Sequence, residues 1–321
     1  PSEQATLTTL EFMKFFKSLP FGIVACLTGD QTTGTSLIKN RKVNIVSFTG
    51  SASTAKTIYE NCAKLFKPCH LEGGGSDTMV ISNKTDINFA AKAAITSSFH
   101  LSGQICTSTE HLLIHENIYE KFKNLFVKKM SELRVGDGLA KNEIGPVANS
   151  KTFNKANNII SDALKHGANV IHHKDHKIIM RKKGYFIPPT LIENINSKMI
   201  CNKEEIFAPI VTISKYRNIK NVVKSVNKSE FGLGFNLISN DLSENLYLAE
   251  NIETGLFWSN NPLIDNDALS FGGIKKSGIG RELGKIGLDT FRNTKMVVID
   301  PEQKIHDWWY PYSEKQLKKF N

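Results

Sequence analysis

The sequence has no run of about 18 consecutive apolar residues, so it holds no transmembrane helix. Its opening, "PSEQATLTTL", has neither a basic segment nor an apolar stretch, so it is not a secretory signal. It also lacks an initiator methionine and reads as a chain whose beginning is missing. Cysteine is scarce: Cys26, Cys62, Cys69, Cys106 and Cys201, an odd count with no C-x-x-C pair. That argues against a disulfide framework and a cysteine zinc site, and the expected compartment is reducing and cytoplasmic. Low-complexity linkers and internal repeats are absent. The net charge of +10 brings no basic–aromatic stripe, because the lysines are scattered, so no nucleic-acid partner is expected.

What is present is a globular composition. With 40% hydrophobic residues over 321 positions, the chain can bury a core of roughly two domains. Apolar runs at 22–28, 43–48, 78–82, 111–116, 209–216, 235–239 and 295–300 read as buried strands. Between them, amphipathic patterns predict helices over 52–66, 86–100, 117–132, 151–166, 217–228 and 241–252. Such alternation means an α/β fold with mainly parallel sheets. One segment, "VIHHKDHK", invites a metal reading through His172, His173 and His176, against a plain polar hairpin. Neighbouring strand residues point to opposite faces, so only one of the adjacent pair can join His176, and no metal is expected.

Four segments suggest chemistry. In "VSFTGSASTAK" a strand turns at Gly50 and Ser51 into a helix whose free N–H groups suit a phosphate. In "CHLEGGGSD" Glu72 follows a short strand, and a carboxylate there is costly to desolvate without a purpose. In "SGQICTSTEH" Cys106 sits in a loop after a Gly-Gln pair. The strand, loop and helix between Glu72 and Cys106 can return the chain to the same sheet edge, placing a thiol nucleophile beside a carboxylate base. In "NKEEIFAPIV" Glu205 suits ribose hydroxyls and Phe207 a cofactor ring. Alone, each also reads as an ordinary turn, capped helix or core cysteine.

Together, "FTGS", "LEGGGSD", "GQICTS", "EEIFAP" and "FGGIKKSGIGRELG", in this order and spacing, resemble the aldehyde dehydrogenase superfamily. "GGSD" and "IKKSGIGRELG" look like its succinate-semialdehyde branch. The resemblance implies a partial dinucleotide-binding domain over 1–73, a catalytic α/β domain over 74–252, a return to the cofactor side with a subunit-bridging strand over 253–300, and a tail over 301–321. It implies Cys106 as nucleophile, Glu72 as the base that activates water, and Glu205 with Phe207 at the nicotinamide ribose. Gly50 and Ser51 match the turn near the cofactor, and Glu3 matches the acid on the adenine ribose, which favours NAD over NADP. Asn260 and Phe271 match substrate-side positions, and Glu282 a carboxylate near the base. The implied reaction oxidises a small aldehyde to its acid through a cysteine thiohemiacetal and thioester, in a homodimer or homotetramer.

The sequence also departs from the family. The aromatic–Asn motif that donates to the oxyanion precedes this region in the family and does not occur before Pro1. If this is the whole polypeptide, it is expected to be weakly active and poorly stable, since one oxyanion donor is worth roughly 100- to 1,000-fold in rate. Gly73, Ser76, Ala55 and Ala208 also stand where the family has other residues. Two alternatives therefore stay open: a cysteine-dependent esterase, and a non-catalytic remnant that only oligomerises.

Overall fold

A computed structural model describes residues 1–306 and 308–319. Contacts divide the chain into two units, Pro1–Thr290 and Phe291–Asn321. The first contains ten strands in chain order: β1 (Val46–Thr49), β2 (Cys69–Glu72), β3 (Asp77–Ile81), β4 (Thr109–His115), β5 (Asn169–His172), β6 (Thr190–Glu193), β7 (Ile210–Tyr216), β8 (Gly234–Ile238), β9 (Leu256–Ser259) and β10 (Gly278–Ile279).

Seven of them form one sheet in the order β5-β6-β7-β4-β3-β8-β9. All its pairs are parallel except β5 with β6. Parallel sheets are covered on both faces, so their strands read as continuous apolar runs; β3 is buried throughout. One face packs on helices 87–99 and 119–132. The first is alanine-rich, so it approaches the sheet closely, and Asp86 caps it by accepting from the Phe89 N–H at 2.6 Å. The second turns Phe122, Phe126 and Met130 inward at four-residue spacing. Helices 219–227 and 242–251 supply the opposite face around Val222, Phe235, Leu237 and Leu248. Burying each phenylalanine is worth roughly 1.5–3 kcal/mol.

The other three strands make a small sheet, β1-β2-β10, with β2 central. β1 runs parallel to β2 and β10 antiparallel to it. Helix Ala52–Lys64 follows β1 and buries Ala55, Ile58 and Cys62 against this sheet. Because β2 leads directly through Gly73–Ser76 into β3, the chain steps from the small sheet to the large one within four residues.

All six predicted helices form, with ends shifted by at most two residues. Two predicted strands do not. Residues 22–28 have no ladder partner, and Ile23 and Leu27 are exposed, because the small sheet ends at β1. Residues 295–300 are exposed and unpaired; a bridging strand needs a second backbone to bond to. The histidine segment is not a local hairpin: β5 pairs with the distant β6. His173 is buried, with Nε2 2.9 Å from the Leu133 carbonyl and Nδ1 accepting from the Asp175 N–H at 3.1 Å. His172 stacks on His176. Among the described residues no helix is long and apolar enough to cross a membrane.

Candidate active site

The strand ends and loops where the two sheets meet bring Glu72, Cys106 and Glu205 near one another. Glu72 ends β2 and is buried, held from three sides. Its Oε2 accepts from the Gly273 N–H at 3.3 Å, and its Oε1 lies 3.2 Å from His70 Nε2. Its carbonyl accepts from the Gly50 N–H at 2.9 Å. Glycine is required around it: a Cβ on Gly272 would stand 2.6 Å from Glu72 Oε1. Burial is the main reason its carboxyl is pushed up to about 8; the Gly273 N–H pulls the other way.

Cys106 lies in the loop between helix 87–99 and β4. Leu101, Ser102 and Gly103 all adopt left-handed backbone before it. The turn is tied down by Ser102 Oγ donating to the Gly145 carbonyl at 2.9 Å, and by Gln104 Oε1 accepting from the Ala148 N–H at 2.8 Å. Gly103 is pressed on the Ala208 carbonyl, where a Cβ would come within 2.3 Å. The Gly-Gln pair is thus the anchor of the cysteine loop. A Cβ on Gly75 would sit 2.4 Å from the Cys106 carbonyl, so the glycine run after Glu72 packs directly on this loop. Burial, then the carboxyls of Asp77, Glu205 and Glu72, push the Cys106 thiol up to about 12.

Glu205 reaches the same glycine run and accepts from the Gly75 N–H at 3.1 Å. Burial pushes its carboxyl up to about 7. Phe207, two residues on, has a left-handed backbone with φ of 53°. Glu205 also lines an open cleft of about 650 Å³ with Ser51, Lys56, Lys155, Phe231 and Ile279. Ser51 caps helix 52–64, its Oγ accepting from the Thr54 N–H at 3.3 Å.

Not every expected residue faces this cleft. Gly50 supports β2 instead: a side chain there would strike the Phe48 ring. Glu3 is exposed in an N-terminal 3-10 turn and is not among the lining residues. Asn260 follows β9, and its amide is taken up by Ser239: Oδ1 accepts from the Ser239 N–H and Nδ2 donates to the Ser239 carbonyl, both at 2.9 Å. The side chain read as substrate-facing therefore holds two strand ends together. Phe271 pairs with Glu282 through two backbone hydrogen bonds, 2.8 and 2.7 Å. That pairing carries Glu282 to within 3.6 Å of His70 Nδ1.

Three residues escaped the sequence reading. Asp77 is buried, accepts from the Gly234 N–H at 3.0 Å, and is pushed up to about 8 by burial. Glu110 is buried on β4 and accepts from the N–H groups of Ile206 and Phe207. His70 was in plain view: it stands two residues before Glu72 on one strand, hence on the same face.

Cys106 thus lies near the carboxyls of Glu72, Asp77 and Glu205 on an α/β scaffold, and Glu205 also lines a cleft that includes the Ser51 helix cap. The chain belongs to the aldehyde dehydrogenase family, whose pattern it matches over residues 1–297. It is 32% identical to a peroxisomal aminoaldehyde dehydrogenase 1 of Pisum sativum, over 98% of this chain and 63% of that protein. It is also 32% identical to a chloroplastic betaine aldehyde dehydrogenase of Atriplex hortensis, over 96% of this chain and 62% of that one. A Staphylococcus aureus betaine aldehyde dehydrogenase solved with NAD+ superposes with a TM-score of 0.88 at 28% identity, over 95% of this chain and 61% of that structure. The chain therefore spans about three fifths of the length of these relatives.

Proposed function

We propose that this chain carries the catalytic site of an NAD-dependent aldehyde dehydrogenase that oxidises a small aldehyde to its acid, with Cys106 as nucleophile and Glu72 as base. The carrying observation is that the Gly73–Gly75 bend follows Glu72, donates the Gly75 N–H to Glu205 and packs on the Cys106 carbonyl, so three residues distant in sequence meet at one bend.

The residues present suit a nicotinamide dinucleotide. The Ser51-capped helix offers N–H groups to a phosphate, and the Glu205 carboxylate, anchored on Gly75, is placed for ribose hydroxyls. NAD is favoured because the S. aureus relative was solved with it. The cofactor would supply the hydride acceptor. The Cys106 thiol loses its proton to water, its Sγ attacks the aldehyde carbonyl, and it carries the acyl group after oxidation as a thioester. Glu72 Oε1 or Oε2 takes a proton from water, which releases the acid. Burial and the neighbouring carboxyls favour the Cys106 thiol over its thiolate.

The relatives point to an amino- or trimethylammonio-aldehyde. The succinate-semialdehyde assignment rests on "GGSD" and "IKKSGIGRELG". A homo-oligomer is favoured by the exposed apolar run Met296–Ile299, and light scattering tests it. The compartment follows the cysteine pattern only as far as a reducing one, since relatives are named peroxisomal and chloroplastic.

The test is NADH formation from short aldehydes, compared with Cys106→Ala. Cys106-dependent NADH supports the proposal. Cys106-dependent ester hydrolysis without NADH formation replaces it with the esterase reading, and neither activity leaves the non-catalytic one.

A further inference from the structure

We propose that Glu72, His70 and Glu282 form a proton-transfer path that connects the buried base to solvent, with His70 as its middle member. The inference rests on reading Glu72 as the water-activating base. A base buried this deeply has a difficulty: each turnover loads it with a proton, and burial favours keeping that proton. A route outward is needed.

The geometry supplies one. His70 is 1% exposed and sits on β2 beside Glu72, with Nε2 3.2 Å from Glu72 Oε1. Its other nitrogen points the opposite way. Nδ1 lies 3.2 Å from Ser47 Oγ on the exposed side of β1, and 3.6 Å from Glu282 Oε1. The Glu282 side chain is 38% exposed. One imidazole thus joins a buried carboxyl to two groups that meet solvent. The ring is held between them: a Cβ on Gly280, whose φ is 92°, would stand 2.7 Å from His70 Cδ2. The charged groups acting on His70 are Glu282, Glu72 and Arg281, and Arg281 is itself pinned to the Gly273 and Gly280 carbonyls. Burial lowers the His70 pKa, so the ring is neutral at rest and takes a proton only in passing.

The path balances. The O–H bond of protonated Glu72 breaks and an Nε2–H bond forms on His70. The Nδ1–H bond then breaks, and the proton passes to the Ser47 hydroxyl or, through a bridging water, to Glu282. Glu282 releases it to water. No electrons are exchanged, and the transfer leaves Glu72 as the carboxylate for the next attack; the ring, left with its proton on Nε2, returns to the Nδ1–H tautomer by exchange with water before the next cycle. His70 touches Glu72 rather than substrate, so it acts as a positioning and relay residue.

Two measurements test the path. The first compares the burst of NADH, one per Cys106, with steady-state turnover in the unaltered chain, His70→Asn and His70→Ala. The expected result is a retained burst, steady-state turnover reduced on the order of 100-fold, a displaced pH profile, and partial rescue of His70→Ala by imidazole. Turnover within twofold of the unaltered chain and an unmoved pH profile overturn the path. So does equal loss of burst and turnover without rescue, which marks a merely structural role. The second reads the His70 ring nitrogens by nitrogen-15 NMR during a pH titration, which needs no activity. The expected result is that Nε2 reports the Glu72 titration and loses it in Glu72→Gln, while Glu282→Gln moves Nδ1. Ring nitrogens unaffected by both substitutions overturn the path. An unaltered chain with no NADH burst but intact nitrogen coupling sinks the dehydrogenase reading alone.

Discussion

Glu110 Oε1 accepts hydrogen bonds from two consecutive backbone N–H groups, Ile206 at 2.7 Å and Phe207 at 2.9 Å. It thereby fixes the left-handed turn that aims Glu205 at Gly75. Glu110→Ala leaves both donors buried and unpaired, at about 1–3 kcal/mol each. The expected outcome is a large drop in the urea midpoint, with weakened NAD binding in calorimetry. Glu110→Gln keeps an acceptor oxygen and should lose much less. Equal losses for the two variants would refute the account.

Cys106 should be slow to alkylate at neutral pH. Its thiol is pushed up to about 12 by burial and by three neighbouring carboxyls. Labelling with iodoacetamide, read by peptide mass spectrometry, should accelerate as pH rises from 7 to 10, since the thiolate is the reactive form. Asp77→Asn should raise the rate at pH 9–10, where the Asp77 carboxyl would carry its charge. A rate independent of pH across that range would contradict the assignment.

Stability should fall as pH rises through the neutral range. The ordinary 4.5 of Glu72 becomes about 8 on folding, the 3.8 of Asp77 becomes about 8, and the 4.5 of Glu205 becomes about 7. Between the ordinary and raised values the folded chain keeps protons that the unfolded chain releases. The contribution is therefore complete below about pH 4 and lost by about pH 8. Urea unfolding at pH 5, 6, 7 and 8 should show a declining midpoint, with a shallower decline in Glu72→Gln. A midpoint flat over this range would count against buried, protonated carboxyls.

Gly278→Ala should damage the small sheet. The added Cβ would meet the Leu71 carbonyl at 2.4 Å, a backbone atom that cannot swing aside. Forcing β10 from β2 should cost roughly 1–3 kcal/mol and disturb Glu72, which pairs with Gly278. Gly138→Ala, with nothing within 4 Å of the new atom, is the control. Thermal denaturation of both variants decides; equal midpoints would mean β10 is not held as described.

Much of the site was legible because its motifs are local. "LEGGGSD" and "GQICTS" carry both the proposed base or nucleophile and the glycines or amide that anchor it, so short spacings sufficed. Helices were legible for the same reason: 119–132 announces itself by Phe122, Phe126 and Met130. Strand identity was less so, since "GIVACLT" is as apolar as "TMVIS" yet only the second finds neighbours.

What the sequence determined, then, was the set of elements and the reactive residue types, because periodicity and turn chemistry act over a few residues. The tertiary structure decided which side chains share a site. Glu110 meets Phe207, Asn260 turns to Ser239, and Glu282 reaches His70 only because sheet order and loop return bring distant backbones together. The burial that pushes the carboxyls up arises there too, since desolvation depends on everything packed around a group and not on its neighbours in the chain.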